Sequence, residues 1–234
     1  MPSKPDKNDL FNWYETKQMK EITKDDDHFD YSATGIAPNS RILCCGTTGS
    51  GKTQALLHYI RLSPNLFSRV IVFYKEVEPM YELLQKGLKK RVEFHTSLTE
   101  LPRLVDLRKD MEKNERILLV LDDYMMELKN FPNVNDYFIY GRKKNITLFC
   151  LAQSYYTVPK VLRQQMTYLL LFKITQKKDI NLILSEYDNK NKDLLPIYKS
   201  ITNEPLNFMK ICTFCGKDDT KISRNFTDYI EFEV

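Results

Sequence analysis

The chain has 234 residues, enough for one α/β domain with decorations and short for two independent ones. Its hydrophobic share of 42% and charged share of 28% are ordinary for a globular protein, and no apolar run approaches the roughly eighteen residues that a membrane span needs. The net charge of +4 permits contact with a polyanion without requiring it, because Lys and Arg are largely offset by Asp and Glu.

Met1 to Asp9 is polar and lacks the apolar core of a secretory signal, which points to an intracellular setting. Five cysteines without regular spacing argue against a disulfide framework. Residues 1–30 are highly charged, with a Lys-Asp-Asp-Asp run at 24 to 27 and an aromatic cluster of Phe11, Trp13 and Tyr14. They read as an N-terminal extension, either a solvated segment with one short helix or a docking arm. Residues 31–234 are expected to form the single domain.

After Pro38, short apolar runs alternate with helical stretches. The runs are Ile42–Cys45, Val70–Tyr74, Ile117–Leu121, Ile146–Leu151, Tyr168–Ile174 and Phe208–Phe214. Helix-like segments lie at Thr53–Leu62, Met80–Leu88, Leu98–Met111 and Asp179–Tyr187. Strands alternating with helices imply crossover units and a mostly parallel central sheet with both faces covered, an α/β fold.

Gly46-Thr47-Thr48-Gly49-Ser50-Gly51-Lys52-Thr53 satisfies the pattern G-x-x-x-x-G-K-[ST]. Its glycines let the backbone curl so that successive N–H groups face phosphate oxygens. Lys52 then neutralises the β- and γ-phosphates, and the Thr53 hydroxyl binds Mg²⁺. The helix from Thr53 presents its positive N-terminal end to the same anion. Four specified positions match by accident in roughly one chain of this size in a hundred. A strand before the loop and a helix after it make accident rarer still, and three of the seven glycines lie between 46 and 51.

The run Ile117–Leu121 has the continuous apolarity of a strand buried on both faces, and it ends in Asp122-Asp123. At the carboxyl end of a central parallel strand these acids lie where open α/β sheets bind ligands. Asp122 is expected to hold Mg²⁺ through water and Asp123 to orient the attacking water. A strand followed by an ordinary polar turn is the plainer account of the pair taken alone. The run Ile146–Ala152 ends at Gln153, whose amide would report the γ-phosphate if this strand lies beside the acidic one; otherwise it is a loop glutamine. Arg142 precedes that strand and Arg163 follows the next loop. Either could be an arginine supplied to a neighbouring subunit's phosphoryl group, although most arginines are surface or structural residues.

The order Gly46–Thr53, Leu119-Val120-Leu121-Asp122-Asp123-Tyr124-Met125, then Gly141-Arg142-Lys143-Lys144-Asn145 through Gln153-Ser154-Tyr155-Tyr156 resembles the viral genome-packaging ATPases of the FtsK–HerA superfamily, in its poxvirus-like and virophage- or polinton-like branch. The likeness spans about residues 38 to 215, and the Gly-Arg to Gln-Ser-Tyr stretch discriminates it from other P-loop ATPases. It implies an additional strand between the two motif strands, an oligomeric ring, and ATP-driven pumping of double-stranded DNA into a preformed capsid. By position, Lys52 and Thr53 match the phosphate and magnesium residues, Asp122 the metal carboxylate, Gln153 the sensor and Arg142 the arginine acting across the subunit interface, with Arg163 a second candidate. Capsid components are implied partners, no membrane is, and the setting is the host cell interior. Many relatives carry Glu where Asp123 stands and His where Lys143 stands.

Other motifs are read as structural. Cys212 and Cys215 form one C-x-x-C within an apolar run, where residues three apart point to opposite faces, so packing is expected rather than a metal or redox site. His28, His58 and His95 are scattered. Lys89-Lys90-Arg91 and Lys143-Lys144 are basic clusters that could face DNA phosphates or simply solvent. Two rival functions use the same loop: a nucleotide or small-molecule kinase, for which no arginine-rich lid is evident, and a DNA translocase or helicase not tied to packaging. A nucleotide-dependent scaffold without turnover is a third.

Overall fold

A computed structural model of the protein describes residues 16–18, 29–109, 111–112, 114–187, 194–214 and 222–230. The chain divides into two compact units, Met1–Asp30 and Tyr31–Val234. The aromatic cluster and the acidic run of the first unit lie outside the described residues, as does Cys215. The second unit carries everything that follows.

Among the described residues, nine strands form one sheet. In chain order they are β1 (Arg41–Cys45), β2 (Arg69–Phe73), β3 (Val92–His95), β4 (Ile117–Asp122), β5 (Ile146–Ala152), β6 (Tyr168–Leu171), β7 (Met209–Cys212), β8 (Ile222–Arg224) and β9 (Asp228–Tyr229). The spatial order is β3-β2-β4-β5-β1-β6-β7-β8-β9. The first six positions pair in parallel and the last three add antiparallel strands. Strand β5 therefore lies between β1 and β4, as the motif order implies. All five apolar residues at the start of β4 and all seven residues of β5 are buried, which is what a strand covered on both faces demands. Each expected run became a strand to within a few residues. Val92–His95 was not read as a strand, because it is a partly exposed edge whose Glu93 is paired with Arg69 rather than a buried apolar run.

The helices are α1 (Lys52–Leu62), α2 (Pro79–Leu88), α3 (Leu104–Lys109), α4 (Pro132–Tyr140), α5 (Lys160–Arg163), α6 (Lys177–Tyr187) and α7 (Leu194–Thr202). The expected helix over Leu98–Met111 is corrected. It breaks into a 3₁₀ turn at Leu98–Glu100 and the short α3, with Pro102 between them. Proline lacks an N–H and pushes the residue before it out of helical geometry. One consequence of the parallel topology governs function. The carboxyl ends of β1, β2, β4, β5 and β6 open on one edge, and the loops leaving them meet there.

Candidate nucleotide site

The loop from Gly46 to Gly51 leaves β1 and turns into α1. Its positive φ values at Gly49 (75°) and Gly51 (108°) are ones that L side chains rarely adopt. A Cβ on Gly46 would come within 2.6 Å of the Phe172 Cβ, so the start of the loop is held tightly against the end of β6. The loop is also pinned to the sheet by its main chain. Gly46 N–H donates to the Ala152 carbonyl (3.2 Å) and Thr47 N–H to the Lys173 carbonyl (3.1 Å). Helix α1 begins with Gly51 as N-cap, with no side-chain cap and no acid in its first turn. Its first N–H groups and the positive end of its dipole therefore face the cleft uncompensated by protein, the condition for binding an anion. Lys52 Nζ donates to the carbonyls of Gly46 (2.9 Å) and Thr47 (3.1 Å), folded back over the loop. The Ser50 Oγ is buried without a partner in the same turn.

Opposite the loop stand the two acids. Asp122, Asp123, Gln153, Lys52 and Thr53 line one cleft of about 340 Å³, so the residues separated by seventy positions in sequence do converge. Asp122 Oδ2 accepts a 2.5 Å hydrogen bond from Tyr81 of α2. Burial pushes the Asp122 carboxyl up to about 6; the Tyr81 hydrogen bond opposes this, Glu78 and Asp123 add to it, and Lys52 opposes it. Asp122 is thus an acid short of positive charge. Asp123 has a φ of 63°. Among non-glycine residues Asp and Asn tolerate that left-handed backbone best, a local reason for Asp rather than the longer Glu at this position. Gln153 Nε2 donates to Asp123 Oδ2 at 2.6 Å, which sets the amide beside the second acid.

Several residues of the cleft escaped the sequence reading. Lys75, Glu76 and Glu78 leave the end of β2 and line it. Lys75 pairs with Glu127 and sits 5.3 Å from the Tyr124 ring centre. Their signal was positional only: β2 is a parallel strand whose carboxyl end must reach the same edge. Asp179, fully buried in the first turn of α6, accepts from Ser154 Oγ (3.0 Å) and the Tyr156 N–H (2.7 Å). It thereby fixes the loop that follows Gln153, and its other oxygen has no partner.

The two arginines separate sharply. Arg163 is only 8% exposed; it donates to the Val158 carbonyl (2.9 Å) and Glu186 (3.0 Å) and lies over the Tyr155 ring. The expectation that it could act on a neighbouring subunit is corrected, because its guanidinium is committed inside its own fold. Arg142 is exposed in the 3₁₀ turn Gly141–Lys144 that precedes β5. It lies at the opposite end of β5 from Gln153, a strand of seven residues or about 23 Å at the usual rise. It therefore cannot reach the cleft of its own chain. Arg41 is nearby: burial first, and then the charge of Arg142, lower its pKa.

Cys212 is buried in β7 as the packing account expects, but it is also disulfide-bonded, against the reading from cysteine number; Cys44, Cys45 and Cys150 are free and buried. His58 lies on α1, and His95 pairs with Glu100 at 2.9 Å.

A magnesium ion fits this donor set. The Thr53 hydroxyl and the Asp122 carboxylate are hard oxygen donors on one cleft, and the charge of Lys52 only partly offsets the burial of Asp122. Among the described residues no cluster of three or more His, Cys, Asp and Glu could hold a metal.

The family model described as Poxvirus A32 protein matches residues 26–211. The DNA packaging protein OPG160 of Variola virus and that of Vaccinia virus (strain Copenhagen) are each 25% identical over 178 residues, covering 69% of this chain and 63% of theirs. The chain thus spans less than two thirds of the length of these relatives. Among solved structures, the DNA-packaging ATPase B204 from Sulfolobus Turreted Icosahedral Virus superposes with a TM-score of 0.59 at 15% identity, over 81% of this chain and 98% of that one. The genome packaging NTPase B204 from Sulfolobus turreted icosahedral virus 2, in complex with ATP-gammaS, gives 0.61 at 14% identity over the same shares. These likenesses establish a common fold, with the extra strand between loop strand and acidic strand. On the match over residues 26–211, the chain belongs to the poxvirus A32 protein family.

Proposed function

We propose that residues 31–234 form an ATP-hydrolysing motor that drives double-stranded viral DNA into a preformed capsid, with residues 1–30 an appended extension. The observation that carries this reading is the one cleft shared by Thr48, Gly49, Gly51, Lys52 and Thr53 of the loop with Asp122, Asp123 and Gln153. ATP enters with its phosphates along the loop, and Lys52 exchanges two carbonyls for the β- and γ-phosphates. Thr53 and Asp122 are the residues that would hold magnesium, which supplies charge neutralisation across those phosphates. Asp123 accepts a hydrogen bond from a water and aims its oxygen at the γ-phosphorus. The water oxygen bonds to phosphorus, its proton passes by way of Asp123 to the departing phosphate, the bond to the β–γ bridging oxygen breaks with its electron pair on ADP, and ADP and phosphate result. Gln153, hydrogen-bonded to Asp123, changes partner when the γ-phosphate is present and so senses the nucleotide state.

In this reading the motor is a ring of copies. Its support is Arg142, which is exposed and too far along β5 to serve its own cleft, and which is assigned to the site of an adjacent copy. A head-to-tail contact of that kind makes a ring where its rotation closes. The relatives, a viral DNA packaging protein and a DNA-packaging ATPase, favour DNA as substrate and packaging as process, and with them capsid components as partners inside the infected host cell. Lys143 and Lys144 are exposed and available for phosphate contacts. No helix of the described residues is long and apolar enough to cross a membrane. The test is ATP turnover with and without double-stranded DNA across a protein concentration series. Turnover that rises cooperatively with protein and is stimulated by DNA supports the motor. DNA-independent transfer of phosphate to a nucleotide acceptor would mark a kinase instead.

A further inference from the structure

An arginine delivered to a neighbour's cleft needs a surface beside that cleft to receive it. A groove of about 610 Å³ between α1 and α2 runs on from the cleft and shares Gln54 and Met80 with it. Its walls are aliphatic, with Leu57 and Ile60 from α1 and Leu83, Leu84 and Leu88 from α2. Leu83 is 60% exposed, so this wall is not covered within its own fold. The two ends of the groove carry opposite charge. Both helices begin at the cleft, where Glu76 and Glu78 stand. Arg61, in the last turn of α1, and Arg91, just after α2, line the groove at its other end. These four charges form no ion pair among the described residues.

The surface that carries Arg142 has the same three parts with the charges reversed. Helix α4 exposes Asp136 and then Ile139 and Tyr140, which recur on one face at helical spacing. Ile139 and Tyr140 are 47% and 52% exposed, large apolar groups left in water beside the arginine. The turn that follows exposes Arg142, Lys143 and Lys144. Asp136 and these three cations also form no ion pair among the described residues.

Length selects the occupant as charge does. Gln54 at the cleft and Arg61 are seven helical residues apart, about 10 Å along α1. Asp136 and Arg142 are four helical residues and two residues of 3₁₀ turn apart, also about 10 Å. An adjacent copy that sets Arg142 at the cleft therefore brings Asp136 opposite Arg61, with Ile139 and Tyr140 over the aliphatic wall between them. We propose that the α1–α2 groove is the socket for the α4 end of a second copy of this chain, with Tyr140 as its apolar anchor and Asp136 paired with Arg61. Lys143 and Lys144 then face the acids at the cleft end. The assignment rests on the reading of Arg142 as a residue given to a neighbour, and it names the surface that delivers it. Socket and anchor are different patches of one chain, so the contact is heterologous and repeats from copy to copy.

The test reads assembly and turnover separately. Self-association of the full chain is measured by sedimentation velocity over a concentration series, with DNA and a non-hydrolysable ATP analogue present. Tyr140→Ala should weaken association at least about tenfold, as loss of a buried aromatic anchor does. Asp136→Arg sets like charges opposite one another and should also weaken it about tenfold; adding Arg61→Asp to that variant should restore it to within about threefold of wild type. All three positions are exposed, so thermal unfolding should stay within about 2 °C. A photocrosslinking p-benzoylphenylalanine placed at position 140 should join peptides of α1 or α2 in a second copy. Association unchanged in both Tyr140→Ala and Asp136→Arg, a loss that the double variant does not restore, or crosslinks confined to other peptides would each overturn the socket. If the socket variants behave as expected while Arg142→Ala assembles and turns over as the wild type does, the socket stands and the reading of Arg142 falls. A wild type that stays monomeric throughout overturns both.

Discussion

The two ends of the parallel strands are built on opposite plans. At the carboxyl end the reactive groups are part-buried and tied to one another: Asp122 to Tyr81, Asp123 to Gln153, Lys52 to its own loop. At the amino end of β5, Arg142, Lys143 and Lys144 stand exposed on a short turn. The first edge is organised before any ligand arrives, which lowers the cost of ordering it around a triphosphate. The second edge is displayed outward, which suits a partner. The contrast teaches that the exposed cations of the turn Gly141–Lys144 and the acids of the cleft stand at opposite ends of β5, out of each other's reach within one copy.

Removing the displayed arginine should have the largest effect. Arg142→Ala should lower turnover about 10³-fold, the low end for arginines acting on a transferring phosphoryl group, and leave ATP affinity within about threefold. Steady-state kinetics with a parallel binding isotherm checks both numbers, and wild-type turnover would erase the distinction between the edges. Within the organised edge, Asp123→Asn should cost about 10²- to 10³-fold in turnover with binding kept, since asparagine tolerates the same φ of 63°. Lys52→Ala should weaken ATP binding about 100-fold, read by calorimetry, because the other lysine of the cleft, Lys75, is already paired with Glu127. Asp179→Ala should free the loop after Gln153 and reduce turnover about tenfold, with a loss of about 1–3 kcal/mol in unfolding free energy.

The smallest effect concerns a third region, the buried interior of the antiparallel strands. Lys210 of β7 is 1% exposed, its ammonium donates to the Thr34 (3.2 Å) and Phe226 carbonyls, and burial lowers its pKa to about 8. In the unfolded chain it titrates at its ordinary 10.5. Between those values the unfolded state binds more protons, so stability should rise with pH from about 8 to 10.5, by at most ~1 kcal/mol per unit. Urea unfolding at pH 8 and pH 9.5 should show that rise, and Lys210→Met should flatten it. A fall in the wild type would mean that the charged form is the one the fold prefers.

What could be read from sequence was whatever is local. The loop at Gly46–Thr53, the acids closing β4 and the amide closing β5 are each announced by a run of apolar residues and the polar residue that ends it. Groups supplied by tertiary packing were not legible. Tyr81 reaches Asp122 from a helix forty-one positions earlier, and Asp179 reaches Ser154 from twenty-five positions later. Arg163 looked available because nothing near it in sequence shows that Glu186 and Tyr155 enclose it. Phe172 and Phe208 fall in two apolar runs far apart in sequence, and only the pairing of β6 with β7 brings their rings to 5.0 Å. The break at Pro102 was local and could have been read, since proline there ends any continuous helix.

The claim on which the rest depends is that the loop and acids of one copy are completed by Arg142 of another, and mixing two inactive variants tests it most directly. Lys52→Ala keeps its arginine and loses its cleft; Arg142→Ala keeps its cleft and loses its arginine. Combined at equal concentration with DNA present, they should regain a substantial fraction of wild-type ATP turnover, because some interfaces then hold an intact cleft facing an intact arginine. If the two copurify as one assembly and turnover stays at the level of the separate variants at every mixing ratio, Arg142 does not complete a neighbour's site.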